Sequence, residues 1–317
     1  MLVGSDHVIA ECLGSASITD EFVDRWRSPG QTHSKSWEER FGETTYLRLG
    51  QEAWKRALAD ADVAPSDVDG LIVAGLHQKA NRALAGKLDV EHAVDDLTST
   101  VGNTGAAHPG LLLASALEAA APGQTIALVI LADGADAFVL RTTDAVRSYR
   151  PARALVDQIP GALDVPYAKF LSWRGMLTLE PPRRPEPARP SASAAARRKE
   201  WKFGLVGSRD RETGAEHLPP ARVSREGGAV DDMEPLPMAD REGTVVTFTV
   251  DRMVYSPSPP VVFAVVDFDG GGRLPVELTD VEADQVAIGD RIEMTFRRMF
   301  TADGLHNYFW KARPVRA

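Results

Sequence analysis

At 317 residues, 44% hydrophobic and 26% charged, the chain has enough apolar material for one large core or two ordinary ones, and two domains is the default expectation. A formal net charge of −9 gives no electrostatic ground for a nucleic-acid or anionic-membrane partner, because both need a basic surface to meet. No run of about 18 apolar residues is present to span a bilayer, and residues 1–11 carry no basic region ahead of an apolar one, so the chain reads as soluble and cytoplasmic. Its one cysteine, Cys12, excludes an internal disulfide and any multi-cysteine metal site.

From residue 8 to about 144, short apolar runs alternate with helical patterns, the rhythm of an αβ layer structure. Residues 8–13 read as a strand and 36–58 as a helix that ends before Pro65. Residues 70–76 are an apolar strand, and 78–88 return to helical composition. The alanine- and leucine-rich stretch 106–120 reads as a buried helix stopped by Pro122-Gly123, with strands at 125–132 and 136–142 after it. A first domain over 1–150 follows from this pattern. Residues 167–177 (YAKFLSWRGML) form a short amphipathic helix able to dock on either neighbour, and 181–198 (PPRRPEPARPSASAAARR) cannot bury a core and read as a semi-extended linker. Residues 151–198 therefore separate the first domain from a second over 199–317. There, β-branched runs at 243–250 and 261–268 precede strands at 291–297 and 308–315. Ser258-Pro259-Pro260, Gly270-Gly271-Gly272 and Gly289-Asp290 mark the turns, and strands so spaced predict a small barrel.

Two motifs carry the chemistry of the first domain. His77-Gln78-Lys79-Ala80-Asn81 ends a strand and starts a helix, and Gly102-Asn103-Thr104-Gly105-Ala106-Ala107 opens the alanine-rich helix. In this order, over roughly residues 1–145, the segment resembles the second half of β-ketoacyl carrier-protein synthase III and of the hydroxymethylglutaryl-CoA synthases. Residues 8–43 (VIAECLGSAS, DEFVDRWRSPG, SWEERFGE) are closest to the latter branch. The implied fold is an α/β thiolase-like half domain. Thioester condensation builds negative charge on a carbonyl oxygen, so the site wants neutral hydrogen-bond donors aimed there. An imidazole Nε2–H and a side-chain amide supply them. The resemblance implies that His77 and Asn103 are those donors, with His77 also able to move a proton, and that Gly105 and Gly134 line the substrate pocket. Alone, a histidine after a strand is more often structural, and a G-N-T-G is more often a plain loop; the pair at this separation favours the family reading. The family motif is H-Q-A-N, and Lys79 is inserted here, which puts Asn81 in question as a motif residue. The loop Asp133-Gly134-Ala135-Asp136-Ala137 stands where the family has a glycine-rich turn, but an ordinary hairpin accounts for it equally well.

The resemblance also implies a nucleophilic cysteine at a helix N-terminus in the other half of a pseudo-duplicated fold. Residues 1–5 read as the tail of a strand, and Cys12 lies within an apolar strand, where a buried, inert thiol is expected. The nucleophile is thus expected from outside these residues, through a longer chain or a thiolase-fold partner. A half stack left to itself exposes an apolar face and sheet edges, which calls for such a partner or a homodimer.

From Lys199 onward the chain resembles the zinc-ribbon plus OB-fold proteins that accompany thiolases and are associated with acyl-CoA. The resemblance rests on Trp201-Lys202-Phe203-Gly204, His217-Leu218-Pro219-Pro220, Arg222-Val223, the strand 243–249, residues 265–268 and Gly289-Asp290. An all-β OB-fold barrel is implied. In that family two C-x-x-C-G knuckles hold zinc, whereas here they read Asp210-Arg211-Glu212-Thr213-Gly214 and Ser224-Arg225-Glu226-Gly227-Gly228. A hydroxyl is a poor ligand and glycine has no side chain, so no metal and no resident cofactor is expected, coenzyme A thioester being substrate. Arg291, Arg297 and Arg298 are candidates to meet its phosphates, with solvated strand edges the alternative. Phe248, Phe263 and Phe268 are expected in the core, against an oligonucleotide-binding face. The reading that follows is an acyl-CoA-dependent acyltransferase of the Claisen-condensing type in lipid or polyketide metabolism, incomplete in these residues. The alternative is a non-catalytic acyl-CoA-binding scaffold for a complete thiolase or synthase.

Overall fold

The computed structural model describes residues 3–88, 90–151, 153–159, 164–180, 183–256 and 258–315, arranged in two compact units, Met1–Gly161 and Ala162–Ala317. Met1 and Leu2 of the expected strand tail, and Pro181 and Pro182 of the expected linker, lie outside the described residues.

The first unit opens with β1 (Ala10–Thr19), a short hairpin of β2 (Arg25–Trp26) and β3 (Lys35–Ser36), and α1 (Glu39–Ala61). Then come β4 (Gly70–Gly75), α2 (Gln78–Leu88), α3 (His108–Ala119), β5 (Thr125–Leu131), β6 (Gly134–Thr142) and a single turn of helix, α4 (Leu155–Gln158). The sheet order is β1-β6-β5-β4, with β4 and β5 parallel and the other pairs antiparallel. β5 is a nearly unbroken apolar run because both of its faces are covered. Ala127, Val129 and Leu131 pack with Tyr46, Leu49, Ala53, Trp54 and Ala57 of α1 and Leu84 of α2, while Ile126 and Leu128 pack with Leu112, Leu113 and Leu117 of α3. The buried positions of α1 recur three to four residues apart, one stripe of the helix. Each fully buried leucine in these layers contributes about 1.5–3 kcal/mol relative to exposure. The αβ layers are those expected for a thiolase-like half domain.

Two expectations for this unit need correction. Cys12 is exposed rather than buried. It pairs with Leu140 on edge strand β1, beside a bulge between Cys12 and Gly14, and α3 lies over β4 and β5. The thiol is therefore left at an uncovered margin. The helix expected to open at residue 106 begins at His108, after a 3₁₀ turn over Gly105–Ala107.

The second unit carries three short helices, α5 (Tyr167–Trp173), α6 (Ala192–Arg197) and α7 (Lys199–Gly204). α5 leaves Tyr167, Phe170 and Trp173 exposed. α6 corrects the expectation of extended chain up to residue 198: Ser191 accepts the Ala194 N–H through its hydroxyl, and an alanine run follows that propagates a helix readily. A small sheet of order β8-β7-β9 comprises β7 (Val206–Asp210), β8 (Glu216–His217) and β9 (Met233–Pro237). β10 (Glu242–Asp251), β11 (Val261–Phe268), β12 (Arg273–Glu277), β13 (Arg291–Ala302) and β14 (Leu305–Pro314) then form a sheet of order β12-β11-β10-β13-β14. A parallel bridge between Leu278 and Ala312, with Thr279 N–H donating to the Ala312 carbonyl at 2.8 Å, brings its two edges together as a barrel. Val245, Val262, Ala264, Val266, Phe268, Leu274, Val276, Ile292 and Met294 fill it. Phe268 is core as expected and Phe248 packs against the core, but Phe263 is 45% exposed because inward positions on β11 alternate from Val262. No helix among the described residues is long and apolar enough to cross a membrane.

Candidate functional site

β4 ends at Gly75, and His77 stands in the turn that leads into α2. The Ala80 N–H, one of the unpaired donors of the first helical turn, donates to Nδ1 of His77 at 3.1 Å. An Nδ1 that accepts leaves the proton on Nε2, and Nε2–H donates to the Glu39 carbonyl at 2.9 Å. α1 approaches the ring so closely that a Cβ on Gly42 would stand 2.9 Å from His77 Cδ2. Glycine is needed there to let the imidazole lie against the helix. Tyr46, one turn further along α1, has its ring centroid 6.1 Å from that of His77. Burial pushes the Tyr46 phenol up to about 12, with the carboxylates of Asp24 and Asp133 adding to the effect, so a neutral hydroxyl stands beside the imidazole.

Asn103 comes to the same end of β4 from the loop before α3. Its Oδ1 accepts the Gly105 N–H at 2.8 Å and its Nδ2 donates to the Gly75 carbonyl at 3.3 Å. Asn81 Nδ2 donates to that same carbonyl at 3.0 Å, and its buried Oδ1 has no partner among the described residues. The structure therefore brings His77, Asn81 and Asn103 together around the end of β4. Lys79 is exposed and paired with Glu39, so its insertion leaves Asn81 against the strand. Tyr46, Gly42 and Asn81 are the residues that sequence reasoning missed or set aside. Only the apolar stripe of α1 pointed toward Tyr46, and nothing local marked its contact with His77.

Of the two glycines assigned to the pocket, Gly105 has φ 70° and bonds Asn103 through its N–H. Gly134 begins β6 in the hairpin with β5, at φ 132°, and a Cβ there would fall 2.2 Å from the Ile18 carbonyl oxygen. Packing against β1 accounts for a glycine there, and the preceding residue, Asp133, reaches Tyr46 through its backbone. A groove of about 570 Å³ between α1 and α2, lined by Glu43, Arg48, Glu52, Lys55 and Lys87 among others, includes neither His77 nor Asn103.

Arg291 and Arg297 belong to the other unit. Arg291 donates to Asp269, Glu242 and Thr244, and the two carboxylates raise its pKa further above the ordinary guanidinium value. Arg297 donates to Asp280 at 3.1 Å. Both guanidinium groups are engaged by acidic neighbours on the barrel, which leaves less of either for a phosphate. Asp210, Thr213, Ser224 and Gly227, at the four knuckle positions, do meet in space, with Thr213 Oγ1 donating to Asp210 Oδ2 at 2.9 Å. They do not fit zinc. Two hydroxyls are poor ligands, Gly227 has no side chain, and its φ of 74° disfavours any residue that has one. No group of three or more histidine, cysteine and acidic side chains able to hold a metal occurs among the described residues.

Residues 237–297 match the family described as ChsH2, C-terminal OB-fold domain. The hydroxymethylglutaryl-CoA synthase of Thermoplasma volcanium is 29% identical over 182 residues, covering 53% of this chain and 51% of that protein. The synthase of Pyrobaculum arsenaticum is 30% identical over 189 residues, covering 56% and 53%. The chain thus spans about half the length of the curated relatives it matches. Among solved structures, 3-oxoacyl-[acyl-carrier-protein] synthase III from Aquifex aeolicus overlaps 44% of this chain and 46% of its own at 19% identity and a TM-score of 0.36. An Ltp2-ChsH2(DUF35) aldolase structure overlaps 41% and 98% at 22% identity and a TM-score of 0.32. Over about half its length the chain is similar to the hydroxymethylglutaryl-CoA synthases, and its residues 237–297 match the ChsH2 C-terminal OB-fold family.

Proposed function

We propose that this chain takes part in acyl-CoA-dependent carbon–carbon bond formation of the Claisen type, with His77 and Asn103 as donors to the thioester oxygen and a cysteine outside these residues as nucleophile. The observation that carries this reading is the tautomer of His77: Ala80 N–H occupies Nδ1, so the imidazole presents Nε2–H as a neutral donor. Asn103 brings a side-chain amide to the same end of β4, held at its other end by Gly105. For condensation, substrate must displace the Glu39 carbonyl from His77 Nε2–H, while Asn103 Nδ2 keeps a second N–H beside the one given to the Gly75 carbonyl. Cys12 is not placed for the covalent step, being on an edge strand rather than at a helix N-terminus.

The engagement of both donors by backbone carbonyls favours a second reading, an acyl-CoA-binding scaffold that docks on a complete thiolase or synthase. A thiolase-fold partner serves either reading, whereas a second copy of this chain brings no cysteine other than Cys12. One experiment separates them. The chain is co-expressed with a cysteine-bearing thiolase-fold segment, and coenzyme A release is followed with acetyl-CoA plus acetoacetyl-CoA. Donor roles predict that His77→Ala and Asn103→Ala each lower kcat by about a hundredfold. Unchanged turnover in both variants supports the scaffold. The chain by itself is expected to be inactive, and turnover that Cys12→Ala abolishes would sink the proposal of an external nucleophile.

A further inference from the structure

The two turns at the knuckle positions share one backbone plan. In the first, the Asp210 N–H donates to the Ala215 carbonyl and the Glu212 N–H to Asp210 Oδ1, each at 2.9 Å. In the second, the Ser224 N–H donates to the Ala229 carbonyl at 2.9 Å and the Glu226 N–H to Ser224 Oγ at 3.2 Å. Gly214 and Gly228, at φ 74° and 71°, close the two turns in the left-handed region. Each turn therefore holds a side-chain oxygen at its first position against the N–H two residues on, and no ion is needed to close it.

The two turns also meet each other. Asp210, His217 and Ser224 are 1%, 3% and 5% exposed, so their polar atoms depend on partners from within, and His217 Nδ1 has none among the described residues. The Asp210 carboxylate accepts from the Glu212 N–H, the Thr213 N–H and the Thr213 hydroxyl, and the nearby Ser224 hydroxyl does most to hold its pKa down. Ser224 Oγ accepts from the Glu226 N–H at 3.2 Å and lies 3.4 Å from His217 Nε2. Three donated hydrogen bonds favour the charged form of a buried carboxylate without a counter-ion. The side of the joint opposite Asp210 is closed by contact: a Cβ on Gly227 would stand 2.9 Å from Thr213 Cγ2.

We propose that the Asp210 carboxylate closing the first turn, with Thr213 against Gly227 and His217 against Ser224 across to the second, takes the place that a metal ion takes in zinc ribbons, making this ribbon a metal-independent module. Asp210 is the anion of the joint, Ser224 is the link between turns, and His217 orients Ser224 from β8. The proposal stands apart from the catalytic reading of the first unit.

The test uses the full chain. Zinc is measured by elemental analysis, and amide exchange of peptides covering 210–214 and 224–228 is followed by mass spectrometry before and after treatment with a chelator. The expected result is no stoichiometric zinc and unchanged exchange on chelation. Asp210→Asn is expected to speed exchange in both turns by about tenfold or more while barrel peptides within 237–297 stay protected. Ser224→Ala is expected to speed exchange in the first turn, although the substituted residue lies in the second. Near one zinc per chain, with both turns opening on chelation, would overturn the proposal, as would exchange in the second turn left unchanged by Asp210→Asn. The chelation arm uses the unsubstituted chain and decides the question even if a variant does not fold.

Discussion

The backbone N–H of Ala80 donates to Nδ1 of His77 across 3.1 Å, so the first turn of α2 sets which imidazole nitrogen carries the proton. Neutral His77 is therefore expected as the Nε2–H tautomer. Long-range nitrogen–proton NMR spectra of the chain labelled at histidine check this, and an Nδ1–H pattern for His77 would contradict it.

Gly42 sets how closely α1 approaches that ring. Gly42→Ala gains about 0.5–1 kcal/mol of helix propensity but drives a methyl group to 2.9 Å from His77 Cδ2. The ring must move away from the Glu39 carbonyl. The melting temperature is expected to change little, while the His77 ring resonances shift and, in a condensing assembly, kcat falls with KM nearly unchanged. Unshifted resonances would show that the ring has room the structure does not give it.

Tyr46 makes the stability of the first unit sensitive to alkali. Its pKa rises from 10.0 to about 12 on folding, chiefly through burial. A group whose folded pKa is raised contributes stability that is fully present below the unfolded value, here 10.0, and is lost as pH rises toward about 12. Denaturant midpoints measured across that range should fall for the native chain and stay flatter for Tyr46→Phe. Parallel curves would remove Tyr46 as the cause.

Asp210 has the opposite sign at the acid end. The Ser224 hydroxyl first, then the Glu212 N–H and the Thr213 donors, lower its carboxyl from 3.8 to about 2. Stability from this group is complete above the unfolded value of 3.8 and is lost as pH falls through about 2. His217 on β8 is the titratable neighbour on the far side of Ser224, and the Arg211–Asp232 and Arg209–Glu216 pairs flank the turns. Amide exchange in the two turns should rise between those pH values in the native chain. In Asp210→Asn it is expected to be high already and to change little over the same interval.

Periodicity and turn chemistry were sufficient to place most of the layers. The unbroken apolar run of β5, the amphipathic stripe of α1 and the spacing of the barrel strands are local patterns, and each element formed within a few residues of its expected position. The loop and helix starts that hold His77 and Asn103 were legible for the same reason. Local pattern failed where a partner arrives from elsewhere in the chain. The exposure of Cys12 depends on which strands α3 covers, and the engagement of Arg291 depends on Asp269 and Glu242 arriving beside it.

By itself the sequence determined an αβ layer unit followed by a small barrel, and it singled out His77 and Asn103 through two short motifs, because these depend on neighbours a few positions apart. Only the tertiary structure decided that Nε2–H of His77 meets the Glu39 carbonyl, that Asn81 and Asn103 share the Gly75 carbonyl, and that His217 meets Ser224 between two turns. Those pairings join residues far apart in the chain or on separate elements, and hydrogen bonds act over about 3 Å, so they come into being only once packing has brought the elements together.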